Sequence, residues 1–127
     1  MLFSRACEYA IRTVLFLAAR SDARPMLIRD IAETLEIPPS YLAKIAQGMT
    51  RRGLLNSHKG PGGGITLAQS AEEVTLLEVV DAIDGLKFTE VCVLGVPGCP
   101  DKGPCPLHGD WGSIRDRIVD MLGKQSV

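Results

Sequence analysis

The chain has few of the residues that catalytic sites most often use. Its 127 residues include two histidines, His58 and His108, and its aromatic side chains are three Phe, two Tyr and one Trp. No nucleophile stands at a recognisable spacing from a base, which is the arrangement that nucleophilic catalysis requires. The composition therefore predicts a protein that is not an enzyme.

Long apolar runs are also missing. No stretch approaches the roughly 18 consecutive apolar residues that a membrane-spanning helix needs. Glu8 and Arg12 interrupt the apolar N-terminal segment, and no small-residue cleavage site follows it, so we expect no signal peptide. These absences predict a cytoplasmic protein without a membrane partner, in a compartment where thiols stay reduced and disulfides are rare.

Acidic residues are absent from one part of the chain. None occurs from residue 37 to residue 71, and the same interval holds Lys44, Arg51, Arg52 and Lys59. In a chain whose formal net charge is −1, such a segment indicates a local basic surface for a polyanion. A solvated face that merely lacks acids is the alternative.

The order of elements in the first half predicts a winged helix. Ser4 is the expected N-cap of a first helix that is apolar nearly all round, which indicates burial or a subunit interface. Two short helices joined by about three residues then have the spacing of a helix-turn-helix. The segment LLNSHKGPGGGITLA predicts a hairpin with a glycine-rich tip. A phosphate-binding loop is a weaker alternative, because no Lys-Ser/Thr pair follows the glycines.

Two further helices are predicted in the second half. Thr75 and Glu78 have the spacing of a capping box, flanked by a hydrophobic staple of Val74 and Val79, and Asp110 is the expected cap of the last helix. In that helix the apolar residues step by three, four and three, as in the seam of a coiled coil. These four candidates for a dimer interface are Trp111, Ile114, Ile118 and Met121.

The predicted fold class is mainly α with a small β-hairpin, a winged helix-turn-helix with a long C-terminal dimerisation helix. We expect one domain over residues 1–127. Its parts are a DNA-binding part at 1–70 with the wing near 55–68, a helix at 75–85, a loop at 86–109 and the dimerisation helix at 110–124.

The second helix of the helix-turn-helix and the wing supply the candidate DNA contacts. In this motif the second helix enters the major groove, and phosphate contacts position the protein while base contacts give specificity. Tyr41 and Gln47 suit base edges. Lys44, Arg51 and Arg52 suit phosphates. Lys59 at the wing tip suits a narrow minor groove. The full candidate set is Ser40, Tyr41, Lys44, Gln47, Arg51, Arg52, His58 and Lys59.

Three cysteines and a histidine share one Pro/Gly-rich stretch. Cys92, Cys99, Cys105 and His108 are separated by six, five and two residues. Structural zinc usually takes a ligand pair two to four residues apart, whereas iron–sulfur clusters accept cysteines at wider spacing. An iron–sulfur cluster, a zinc ion and metal-free redox thiols all remain open from the spacing. Cys7, on the apolar first helix, is predicted to be a core residue.

The motifs together resemble a known family over essentially the whole chain. SRACEYAIRTVLFLA, SYLAKI, SHKGPGGGITLA and TLLEVVDAIDG, followed by three cysteines and a histidine, are similar to the Rrf2 family of transcriptional regulators, and most similar to its IscR-like branch. The resemblance implies a homodimer built on the last helix that binds a double-stranded DNA operator. It also implies a 2Fe-2S cluster on Cys92, Cys99, Cys105 and His108.

A second branch of the family implies a different cluster. Its nitric-oxide-responsive members hold a 4Fe-4S cluster with an acidic ligand from the partner's first helix, and Glu8 occupies the comparable place here. This chain also departs from the family in three positions: six residues instead of five separate Cys92 from Cys99, Lys59 replaces a commoner arginine, and Ile65 replaces an aromatic residue.

The sequence therefore predicts a DNA-binding transcriptional regulator whose operator affinity is controlled by an iron–sulfur cluster in the Cys92–His108 loop. Two other hypotheses remain open. One is a zinc-stabilised winged-helix module that binds protein, against which the basic segment argues. The other is a metal-free thiol redox regulator.

Overall fold

Five helices and one hairpin make up the described part of the chain, residues 3–20, 24–86 and 107–127 of a computed structural model. This architecture confirms the predicted winged helix-turn-helix with a long C-terminal helix. The elements in chain order are α1 (Arg5–Ala19), α2 (Ile28–Leu35), α3 (Pro39–Arg51), β1 (Leu55–His58), β2 (Gly64–Leu67), α4 (Leu76–Ile83) and α5 (His108–Lys124).

Helix α1 begins as the sequence predicts and lies against the rest of the domain. The Ser4 hydroxyl accepts a hydrogen bond from the backbone N–H of Cys7 at 3.0 Å, so Ser4 is the N-cap. One face of the helix is completely buried, whereas Glu8 and Leu15 on other faces are exposed. The buried residues of α1 are Cys7, Ala10, Thr13, Val14 and Leu17.

The turn between α2 and α3 has a local physical cause. Glu36 adopts a left-handed conformation with φ 57°, which ends α2, and the N–H of Ile37 then donates to the carbonyl of Ala32 at 2.9 Å. Ile37 is buried in the core. Pro39 occupies the first turn of α3, where its fixed φ suits a helix start and its missing N–H costs nothing. A short, well-defined turn therefore joins the two helices.

The wing is an antiparallel hairpin fixed at its base. Leu55 pairs with Leu67 and His58 with Gly64. Gly64 has φ 139°, and a Cβ there would lie 2.2 Å from the carbonyl oxygen of Met26, so no other residue fits this position without a shift. Met26 and Ile65 exchange backbone hydrogen bonds of 3.2 and 2.9 Å. These bonds hold the wing against the chain that leads into α2.

The core contains one main apolar cluster and a smaller one. The main cluster joins α1, α2, α3, the wing and α4, with Ile31, Leu42, Met49 and Val79 among its buried members. The smaller cluster consists of Cys7, Val80 and Leu122, and so joins α1, α4 and α5. Helix α4 contributes to both clusters, which places it between the DNA-binding elements and the C-terminal helix.

The ends of α4 and α5 agree with the sequence at one point and differ at another. Thr75 accepts a hydrogen bond from the N–H of Glu78 at 3.2 Å, which confirms the predicted cap of α4. The prediction that Asp110 caps the last helix is wrong. Helix α5 begins two residues earlier, after Leu107, which offers no side-chain cap. Asp110 lies in the first turn instead, where its negative charge interacts favourably with the helix dipole.

The C-terminal residues return to the start of α4. The N–H of Leu76 donates to the carbonyl of Gln125, and the N–H of Val127 donates to the carbonyl of Val74, each at 3.0 Å. No helix in the described part of the chain has the length and apolar character that a membrane crossing requires.

Candidate nucleic-acid interface and metal centre

The recognition helix α3 divides into two faces as its periodicity predicts. Leu42, Ile45, Ala46 and Met49 are buried in the main cluster. The opposite face is exposed and carries hydroxyl, amide and cationic groups. All eight predicted DNA contacts are exposed: Ser40, Tyr41, Lys44, Gln47, Arg51 and Arg52 at α3, and His58 and Lys59 at the wing. The exposed side of α3 therefore presents hydrogen-bonding and positive groups, while apolar burial fixes the helix that carries them.

Tyr41 is anchored by α1. Its ring lies edge-on to the ring of Tyr9, with centroids 5.7 Å apart and planes at 82°. The guanidinium carbon of Arg12 lies 5.8 Å from the centroid of the Tyr9 ring, and Nη2 of Arg12 donates to the carbonyl of Leu35 at 2.7 Å. These contacts tie the start of α3 to α1 and to the end of α2, so the orientation of the recognition helix depends on all three elements.

The wing holds its histidine across the hairpin. Nε2 of His58 lies 3.0 Å from Oγ1 of Thr66 on the opposite strand. Lys59 follows at the turn, where Gly60 and Gly62 take φ values of 85° and 76°. The turn therefore carries one exposed cation directly beside glycines, so little bulk surrounds its ammonium group.

A cleft separates α3 from the wing. It has a volume of about 310 Å³, and its walls combine apolar side chains with polar ones. The lining residues are Ile28, Ala46, Gln47, Thr50, Arg51, Ser57 and Ile65. Ile65, one of these residues, is buried in the main cluster. Gln47 and Arg51 thus face the wing across an open gap.

Arg52 has a different environment from its neighbour. Its Nη2 lies 3.0 Å from Oδ2 of Asp81 on α4, forming an ion pair and hydrogen bond. Arg52 was predicted from the sequence as a phosphate contact together with Arg51. The structure places Arg51 at the wing cleft and Arg52 against α4.

The candidate metal ligands are only partly within the described residues. Cys92, Cys99 and Cys105 lie outside them. His108 is the first residue of α5, and Glu8 is exposed on α1. No group of three or more His, Cys, Asp or Glu side chains elsewhere in the described ranges could hold a metal ion. Three thiols and an imidazole are a donor set that suits an iron–sulfur cluster, so the chemistry of these residues fits that group.

The end of α4, from which this loop departs, is bonded to the start of α1. Oδ2 of Asp84 accepts from the backbone N–H of Ser4 at 2.8 Å, and Oδ1 accepts from the Ser4 hydroxyl. Gly85 follows with φ 72°, which ends the helix. One carboxylate therefore fixes the chain just before the loop against the N-terminus of α1.

Cys7 lies beside this carboxylate and is buried. Burial raises the pKa of its thiol most, and the negative charge of Asp84, a hydrogen bond to Asp84 and the charge of Glu8 act in the same direction; together they raise the pKa from 9.0 to about 12. The neutral thiol is therefore the stable form at physiological pH. This confirms that Cys7 is a core residue.

We expect Cys7 to resist alkylation in the folded protein, because only the thiolate is nucleophilic and the thiol is out of contact with solvent. Mass spectrometry after brief iodoacetamide treatment at neutral pH should show Cys7 unmodified without denaturant and modified in guanidinium chloride. Rapid modification of Cys7 in the folded protein would contradict its burial against α4 and α5.

Helix α5 exposes half of its predicted seam. Ile118 packs against the small cluster of Cys7, Val80 and Leu122. Ile114 and Met121 are 51% and 59% exposed, and Trp111 is half-buried. Large apolar side chains with this exposure on one helix indicate a surface that a partner can cover.

Five residues near these sites were missed from the sequence. They are Ser4 as a hydrogen-bond donor to α4, Tyr9, Arg12, Asp81 and Asp84. Each acts through a partner on another element, and apolar periodicity carries no signal for such pairs. The acids of α4, Glu78 and Asp81, are the one signal in the sequence, since a cation elsewhere in the chain can pair with them.

The comparisons with known proteins cover nearly the whole chain. A family model described as Rrf2, iron-dependent transcriptional regulator, matches residues 3–127. A putative HTH-type transcriptional regulator of Aquifex aeolicus is 30% identical over 124 residues, which are 96% of this chain and 85% of that protein. The HTH-type transcriptional regulator IscR of Escherichia coli (strain K12 / DH10B) is 33% identical over 115 residues, 91% of this chain and 70% of that protein.

Solved structures share the fold at lower identity. The global cysteine regulator CymR of B. subtilis superposes with a TM-score of 0.81 at 22% identity, covering 98% of this chain and 91% of that one. IscR of T. potens gives a TM-score of 0.75 at 18% identity, covering 97% and 80%. Since the family model spans residues 3–127 and curated regulators match at 30% and 33% identity, this chain belongs to the Rrf2 family and is a DNA-binding transcriptional regulator rather than an enzyme.

Proposed function

We propose that this regulator is a homodimer whose affinity for its DNA operator is controlled by an iron–sulfur cluster held in the loop between α4 and α5. The observation that carries the proposal is the place of that loop in the chain, between α4 and α5. It leaves α4, which packs on both the recognition helix and α1, and it returns at His108 to start α5. The family description as iron-dependent and the relatives named IscR support it.

The DNA surface follows from exposure and chemistry. Ser40, Lys44 and Gln47 face outward from α3 and suit the major groove, with Lys44 on phosphates and Gln47 on a base edge. Arg51 contacts the phosphate strand that runs between α3 and the wing. Tyr41 reaches a base edge near Gln47, Lys59 enters the adjacent minor groove, and His58 contacts the DNA backbone beside the wing.

The ligands that we assign to the cluster are Cys92, Cys99, Cys105 and His108, with Glu8 as the alternative fourth ligand. When bound, an iron–sulfur cluster supplies reversible electron transfer and reactivity towards oxidants. When bound to a cluster, the four side chains would cross-link residues 92–108 and so shorten the unconstrained part of the connection between α4 and α5. A neutral imidazole ligand adds less negative charge than a fourth thiolate would, and it can couple ligation to protonation.

The dimer is assigned to α5. Ile114 and Met121 are exposed, and Trp111 and Ile118 continue the same stripe, so a second α5 can cover all four. In such a dimer the two recognition helices are related by a two-fold axis, and each would bind one half-site. The operator should then be a pseudo-palindrome whose half-site centres are about one helical turn, or a multiple of it, apart.

Two substitutions on α3 test the DNA surface. Lys44→Ala should weaken binding to all sequences similarly and reduce the slope of log affinity against log salt by about 1 for each half-site, since each subunit loses one phosphate contact. Gln47→Ala should instead relax base preference at one position in each half-site, a loss of about 1–3 kcal/mol of discrimination. Fluorescence anisotropy on an operator and its single-base variants, over a range of salt, measures both. Equal, sequence-independent losses from the two substitutions would contradict direct base reading by this helix.

A metal analysis separates the proposal from its alternatives. Anaerobically purified protein should be coloured and contain iron and acid-labile sulfide. A colourless protein that retains zinc would favour a zinc-stabilised module. A colourless, metal-free protein whose DNA affinity follows thiol oxidation would favour a redox regulator. The structure also resembles the oxidized form of CymR from Staphylococcus aureus, with a TM-score of 0.79 at 21% identity, but this likeness concerns the fold alone.

A further inference from the structure

The ion pair between Arg52 and Asp81 joins the end of the recognition helix to the middle of α4. Nη2 of Arg52 lies 3.0 Å from Oδ2 of Asp81, and the two side chains are 51% and 43% exposed. Arg52 is the residue at which α3 ends. The pair therefore acts at the C-terminal end of α3.

Beneath the pair, the two helices are joined by apolar contacts deeper in the core. Met49 of α3 and Val79 of α4 are both buried in the main cluster. Closer to the surface the helices separate, and a polar cleft of about 220 Å³ lies beside the ion pair. The residues that line this cleft are Arg52, Leu54, Gln69, Glu78, Asp81 and Ala82. Apolar packing thus joins the two helices in the core, while the ion pair joins them at the surface.

The two consecutive arginines serve different surfaces. Arg51 lines the cleft that faces the wing, together with Gln47 and Ser57. Arg52 lines the cleft that faces α4 and is engaged there by a carboxylate. One arginine is placed to contact a phosphate, and the other to contact α4.

We propose that Arg52 and Asp81 are positioning residues for operator binding, a strut that sets the angle of α3 relative to α4. Asp84, three residues after Asp81, is bonded to Ser4 at the other side of the same helix. Helix α4 therefore transmits its position to both α1 and α3. In one respect the inference rests on the proposed function: the signal that moves α4 comes from the cluster loop that follows it.

Operator binding by matched variants tests the strut. Arg52→Gln and Asp81→Asn should each weaken operator binding about two- to fivefold, the range expected for an exposed ion pair. Both should leave the salt slope unchanged, since no phosphate contact is lost. The double variant should be no weaker than either single one, and the exchange of Arg52→Asp with Asp81→Arg should restore part of the affinity. Arg51→Gln is the control and should lower the slope by about 0.9 for each half-site.

A different pattern would overturn the strut. If Arg52→Gln lowers the salt slope by about 1 for each half-site while Asp81→Asn leaves affinity unchanged, Arg52 is a phosphate contact. Additive losses in the double variant would equally contradict a shared role. Thermal unfolding of each variant, expected to shift little because both residues are at the surface, separates these effects from a loss of folding.

The link to the cluster has its own measurement. The ratio of operator affinities with and without cluster should move towards 1 in Asp81→Asn if α4 carries the signal through the strut. An unchanged ratio in Asp81→Asn, with a clear ratio in the wild type, would overturn this link. A wild-type ratio of 1 would instead overturn the proposed function, while the salt-slope and double-variant results would still decide the strut.

Discussion

Replacing Ile114 by aspartate should convert the dimer into monomers that no longer bind the operator tightly. Ile114 is 51% exposed on a single chain, so the change leaves the subunit core intact. In the dimer it would bury an unpaired carboxylate, which costs several kcal/mol and weakens dimerisation by at least about a hundredfold. Operator affinity should fall by about 10²- to 10⁴-fold, since two half-sites are then bound independently.

Sedimentation velocity and operator titration of the same preparation measure this effect. Ser113→Asp is the matched control, because it adds the same charge to the neighbouring, exposed position of α5. It should remain dimeric. Ile118→Asp is a poorer test, because Ile118 packs against the subunit's own small cluster and its loss also destabilises the fold. Dimers that persist in Ile114→Asp would contradict the assignment of α5 as the interface.

Cys99→Ala should abolish the cluster. The residue is one of three thiols in a loop that offers no other thiolate, so its loss leaves an incomplete ligand set. Iron, sulfide and visible absorbance should fall to background, and operator affinity should equal that of cluster-free wild type. Cys7→Ala is the matched control: the buried Cys7 is not a ligand, so this variant should keep its iron. Iron content and DNA affinity like the wild type in Cys99→Ala would exclude this loop as the sensor.

The fourth ligand is decided by a pair of variants. If His108 binds the cluster, His108→Cys should keep the cluster and lower its reduction potential, because a thiolate adds negative charge. His108→Ala should lose the cluster or make it labile, while Glu8→Ala keeps it. The reverse outcome, a cluster lost in Glu8→Ala and intact in His108→Ala, would assign the carboxylate and place this chain with the nitric-oxide-responsive branch.

Local patterns predicted most of the fold. The spacing of Leu42, Ile45 and Met49 gives a single buried face of α3, because residues three and four apart lie on one side of a helix. Ser4 and Thr75 cap their helices through bonds to residues three positions later, so the signal is contained in a short segment. The glycines after Lys59 likewise meet a local need for positive φ. Each of these features depends on neighbours in sequence.

What the sequence could not reveal depends on pairs far apart along the chain. Arg52 finds Asp81 29 residues away, and Ser4 finds Asp84 80 residues away. No periodicity connects such partners, so Arg52 was grouped with Arg51 by charge alone. The sequence also predicts the start of α5 two residues too late, because Asp110 has the chemistry of a cap. The cluster ligands rest on residue type and family resemblance. All four remain predictions, and three of them, Cys92, Cys99 and Cys105, lie outside the described residues.

The central claim is that the cluster in this loop controls operator affinity, and one anaerobic titration tests it most directly. Operator affinity is measured on a single preparation before and after the cluster is removed, with iron and sulfide quantified at both points and Cys99→Ala treated identically. We predict that operator affinity changes several-fold or more in the wild type on at least one natural operator and does not change in Cys99→Ala. Equal affinities before and after removal, in protein shown to have lost its iron and sulfide, would contradict it.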